Sequence, residues 1–81
     1  MHKKRVLLRV RTFTNPIGDI VTVETGQRCS FFMDINNQTG FVVPNYKIPT
    51  SLAVLRYLNS ISPALHKNWR LYEESRVASK R

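Results

Sequence analysis

The chain contains a single cysteine, Cys29, which excludes an internal disulfide and points to a reducing compartment, the cytoplasm. Apolar runs never exceed four residues, too short for a transmembrane helix, and no membrane partner is expected. The opening Met1-His2-Lys3-Lys4-Arg5 is basic, but Arg9 and Arg11 interrupt the apolar Val6-Leu7-Leu8 before it could become a secretory signal. Glycine is sparse: Gly18, Gly26 and Gly40 are isolated turn residues, so no glycine-rich loop cradles a nucleotide phosphate. Asp and Glu number 5 against 13 Lys and Arg, for a formal charge of +8. That excess favours polyanionic partners.

The residues suited to acid, base or metal chemistry are His2, His66, Cys29, Asp19, Glu24, Asp34, Glu73 and Glu74, and their spacing matches neither a metal signature nor a catalytic triad. Neither enzyme activity nor a metal or other cofactor is expected. Cys29 falls on the apolar side of its strand, as a structural thiol does. Glu73 and Glu74 are adjacent in sequence and read as local balance for Arg70 and Arg76. Asn37-Gln38-Thr39 matches the glycosylation sequon, a match common by chance and without use in the cytosol.

At 81 residues and 42% hydrophobic content the chain is one globular domain, 1–81, rather than a disordered basic tail. A domain of this size hides only about 60% of the surface its unfolded chain exposes, so a bound partner or a second copy of the chain is expected to add stability. Residues 4–14 alternate with period two: Val6, Leu8, Val10 and Thr12 on one face, Arg5, Leu7, Arg9, Arg11 and Phe13 on the other. Asn15-Pro16-Ile17-Gly18 supplies turn chemistry, and the β-branched run 19–24 completes a hairpin. A third strand over 29–35 carries Cys29, Phe31, Met33 and Ile35 on its apolar side, and a fourth, at 41–43, closes a second hairpin through the polar loop 36–40. Residues 44–49 form a connector. Helical periodicity then begins behind Thr50 or Ser51, with Leu52, Leu55, Leu58 and Ile61 as the buried stripe. Ser62-Pro63 reads as the start of a second helix, reaching 78, with Leu65, Trp69 and Tyr72 inward. The expected fold is α+β: a four-stranded antiparallel sheet of two hairpins packed against two C-terminal helices, strands over 4–43 and helices over 50–78.

Arg5, Arg9 and Arg11 share one side of the first strand with Phe13, spacing guanidinium groups about 6.6 or 13 Å apart beside an aromatic ring. Arginine contacts phosphate bidentately and stacks on bases, and an exposed ring is a platform for an unstacked base. Phe32, Arg28, Lys67 and Arg70 are candidates to extend that surface. The pattern predicts binding of RNA or other single-stranded nucleic acid through Arg5, Arg9, Arg11, Phe13, Arg28, Phe32, Lys67 and Arg70. Alternating charge also shields a solvent-facing strand, and Asp19, Glu24 and Asp34 can neutralise these arginines across strands.

In size, basicity and lack of domain motifs, with its Met1-His2-Lys3-Lys4-Arg5 start and Lys80-Arg81 end, the chain resembles small accessory proteins of tailed phages, which act against host or defence proteins. It is similar in size and charge to the RNA-binding inhibitors of a toxin endoribonuclease in T-even phages. The resemblance implies a noncatalytic regulator or inhibitor acting in the host cytoplasm, with a host protein partner. Two other readings stand beside RNA binding: a protein-binding inhibitor of an acidic host enzyme, and a ribosome-associated protein.

Overall fold

The computed structural model of the protein describes residues 7–36, 38–62 and 67–76. Five strands form one antiparallel sheet: β1 (Arg9–Thr14), β2 (Ile20–Thr25), β3 (Cys29–Asp34), β4 (Thr39–Pro44) and β5 (Arg70–Arg76), in spatial order β4-β3-β2-β1-β5. One α-helix, α1 (Ser51–Ile61), follows β4 through a 3-10 turn at Asn45–Lys47. Both expected hairpins form. In the first turn the Gly18 amide donates to the Asn15 carbonyl at 3.0 Å, and the Asn15 side chain accepts from the Asp19 amide at 2.9 Å. Gly18 takes a φ of +91°, a conformation that glycine adopts without strain.

Among the described residues, the expected four strands and two C-terminal helices are corrected to five strands and one helix. The chain over 70–76 is β5, paired with β1 from Arg9↔Arg76 to Thr14↔Arg70. Ser62, expected to cap a second helix, instead ends α1 in extended backbone, and its Oγ accepts a 2.8 Å hydrogen bond from Trp69 Nε1. Asn68 sits at φ +67°, a left-handed conformation that interrupts any helix through this segment. Pairing with β5 also satisfies outward backbone groups of β1 that a helix would have left unbonded. The remainder of the expected helix, 63–66 and 77–78, lies outside the described residues, as does His66.

The start of α1 is as expected: Thr50 Oγ1 accepts from the Ala53 amide at 3.1 Å. Its buried side is turned from the expected stripe, however. Val54 and Leu58 are buried while Leu52 and Ile61 are exposed. The helix covers the sheet face that carries Phe13, Val21, Val23, Phe32 and Val43, and Ile48 and Trp69 complete that core. Phe32 stacks on Phe41 with ring centroids 5.0 Å apart and meets Tyr57 of α1 at 5.6 Å. Among the described residues no helix lies over the other sheet face. On β3 this inverts the expected sides: Ser30 and Phe32 are buried, Cys29 and Ile35 are exposed, and Phe31 and Met33 are half-buried on the open face.

Candidate nucleic-acid interface

The alternation assigned to β1 is correct, but the side bearing Arg11 and Phe13 is the one α1 covers. Phe13 is fully buried, as is Phe32, so neither ring can receive a base. Arg11 is 3% exposed. Its Nη1 donates to Ser51 Oγ at 3.1 Å and its Nη2 to Thr25 Oγ1 at 2.9 Å, while its buried Nε makes no hydrogen bond. Arg9 is half-buried; its Nη2 reaches Ser51 Oγ at 3.5 Å and its Nε stands 3.4 Å from Glu74 Oε2, an ion pair rather than a hydrogen bond. Burial pushes the Arg11 guanidinium below its ordinary pKa, Arg9 pushes it further the same way, and Glu74 partly opposes both. The row of guanidinium groups projecting into water from the first strand is therefore corrected: Arg11 is structural, Arg9 is shared with Glu74, and Arg5 lies outside the described residues. Arg28, Lys67 and Arg70 are exposed.

The strand register sorts the charges along the sheet. Arg9 lies opposite both Thr25 of β2 and Arg76 of β5, and Cys29 lies opposite Pro44. One end of the sheet thus collects the start of β1, the β2–β3 turn with Arg28, the 3-10 turn with Lys47, and the end of β5. The N-terminus of α1, the positive end of its dipole, reaches Arg9 and Arg11 through Ser51. The opposite end holds the turn at Asp19, the β3–β4 turn beside Asp34, and the start of β5 with Arg70. In sequence, Lys3, Lys4 and Arg5 lead into β1, and Lys80 and Arg81 follow β5; no acid lies in either stretch. Among the described residues, Arg9, Arg28 and Lys47 lie toward the end at which β1 starts, with Glu24 and Glu74 as the acids nearest Arg9 in the register, and Arg70 lies at the opposite end.

The open face also carries exposed aromatic chemistry, in addition to Phe41, which is exposed at the rim of the covered face. Pairing of β1 with β5 is irregular between Thr12 and Phe13: Thr12 faces Glu73, Phe13 faces Leu71, and Tyr72 is the extra residue. A bulge of this kind re-aims a side chain. Tyr72 is 66% exposed and, with Thr12, Thr14, Gly18, Ile20 and Arg70, lines a groove of about 290 Å³. Phe31, on the same face, lies over Gly40: a Cβ added there would stand 2.6 Å from Phe31 Cζ, so this ring is already in intramolecular use.

Tyr72, Thr12 and Lys47 were not among the candidates from sequence. The signal available for Tyr72 was Asn68, a residue tolerant of left-handed backbone, ahead of a segment whose alternation fits a strand as well as a helix. Among the described residues no group of His, Cys, Asp and Glu could hold a metal ion, and no helix is long and apolar enough to cross a membrane. No protein-family model matches the sequence, and comparison with curated proteins and with solved structures finds no match.

Proposed function

We propose that the protein is a noncatalytic binder of single-stranded nucleic acid, RNA in the first instance, gripping the phosphate backbone at the basic end of its sheet. The observation that carries this reading is the Arg9↔Arg76 register, which sets the start of β1 beside the end of β5 at the same end of the sheet as the turns that carry Arg28 and Lys47; in sequence, Lys3, Lys4 and Arg5 precede β1 and Lys80 and Arg81 follow β5. In sequence, five of the 13 basic residues lie before β1 or after β5, while all five acids lie between Asp19 and Glu74. Phosphates condense counterions that such a surface releases, so affinity arises largely from salt-sensitive electrostatics with little sequence preference. The similarity in size and charge to small phage accessory proteins supports a regulatory or inhibitory role exerted through that binding.

Anisotropy titration of a labelled 12-nucleotide RNA tests the reading. Neutralising about four phosphates predicts on the order of a 50-fold loss of affinity between 50 and 200 mM salt. Charge reversal at Lys4, Arg5 and Lys80 should weaken binding and flatten that salt slope. Salt-independent affinity, or indifference to the charge reversals, would overturn it.

A further inference from the structure

We infer that the groove at the β1–β5 bulge is a seat for one unstacked nucleobase, with Tyr72 as its stacking platform and Arg70 as the contact for the adjoining phosphate. This rests on the proposed nucleic-acid binding and adds to it a second, chemically different subsite at the other end of the sheet.

Tyr72 is the extra residue of the bulge and is two-thirds exposed on a face that no helix covers. An exposed aromatic ring beside a guanidinium is the combination that holds single-stranded nucleic acid: the ring stacks on any base, and the cation takes the phosphate. Arg70 is exposed and lies two residues before Tyr72, opposite Thr14. The groove, near 290 Å³, is at the lower limit of small-ligand sites, which favours a single base over a larger occupant. Its walls fit that occupant. Ile20 supplies an apolar side, and the Thr12 hydroxyl can donate to or accept from a base edge. Thr14 Oγ1 is engaged with the Asp19 carbonyl at 3.0 Å and shapes the wall. Glu73 stands opposite Thr12 on the same face, where a carboxylate accepts from a base N–H and repels phosphate, leaving the phosphate to Arg70. From the Arg9 row to the Thr14 row the strand advances about 17 Å, so one short oligonucleotide can lie along β1 and β5 and engage both ends.

The experiment compares a labelled 12-mer of thymidine with an abasic deoxyribose-phosphate 12-mer of equal length and charge. Stacking of one base predicts that the thymidine oligomer binds about 5- to 150-fold tighter. Tyr72→Ala should remove that difference while leaving the salt slope and the abasic affinity unchanged, and Tyr72→Phe should retain it; circular dichroism verifies that each variant is folded. Equal, salt-dependent binding of both oligomers, or a Tyr72→Ala protein that still prefers bases, overturns the base seat and leaves the backbone grip standing. No binding of either oligomer or of the 12-nucleotide RNA overturns the proposed function itself, and RNA binding without binding of the thymidine oligomer overturns the base seat as a sequence- and sugar-tolerant site.

Discussion

Arg11 is where local chemistry and the fold pull against each other. An arginine on a strand face of alternating charge is expected in solvent, yet here α1 closes over it and its Nε has no hydrogen-bond partner. Its lowered pKa means that the folded state releases this proton more readily than the unfolded chain does. The charged form therefore costs stability at neutral pH, and the cost lifts only as strongly alkaline pH passes through the folded value. Such a group can be replaced by an apolar one of similar length at little loss, whereas removing its compensating acid leaves charge unanswered. Arg11→Met is expected to unfold in urea with a stability within about 1 kcal/mol of wild type or above it. Glu74→Ala, which removes the carboxylate beside Arg9, is expected to be less stable than wild type. If Arg11→Met is the more damaging of the two, the hydrogen bonds of Arg11 to Ser51 and Thr25 outweigh the cost of its buried charge, and the net cost assigned to that charge is wrong. The side chains that gather around this arginine, Thr25 and Ser51, are small hydroxyl residues whose roles no local pattern shows.

At the scale of elements, α1 is the clearest case of a pattern read correctly and rotated. Leucines at 52, 55 and 58 with Ile61 suggest one stripe, but the face that meets the sheet is centred on Val54 and Leu58, with Ala53, Leu55 and Tyr57 beside them. A sheet with large aromatics at Phe13 and Phe32 is best covered by residues that fit around those rings, and that fit overrides the spacing of the leucines. Thermal or urea unfolding should separate the two sides: Leu58→Ala costs about 2–5 kcal/mol, and Leu52→Ala changes stability by no more than about 0.5 kcal/mol. Equal costs would mean that the helix sits differently on the sheet. The strand β5 shows the opposite kind of error, in type rather than in face. Leu71, Tyr72, Glu73 and Glu74 are compatible with a helix in isolation, and the vacant edge of β1 recruits them as a strand.

At the scale of the whole molecule, the described residues put one helix over one face of a five-stranded sheet and leave the other face with surface to spare for a ligand. Binding to the folded state alone raises stability by mass action. At 50 mM salt, single-stranded RNA at about 100 times its dissociation constant should add roughly 2.7 kcal/mol, a rise of about 10–20 °C in Tm for a domain of this length. The rise should shrink at 200 mM salt as affinity falls. An unchanged Tm at saturating RNA would mean that the folded domain does not bind it.

Composition and short-range pattern determined a good part of this protein: its basic charge, two hairpins with their turn residues, and a helix capped by Thr50. Each of these depends on interactions within a few residues, which sequence displays directly. The side of the sheet that is buried, the strand identity of 70–76 and the exposure of Tyr72 were decided only by tertiary structure. Both faces of these strands carry apolar residues, and which face meets the helix depends on long-range packing of Phe13, Phe32 and Trp69. The juxtaposition of Arg9 with Arg76 likewise exists only once β5 has paired antiparallel with β1.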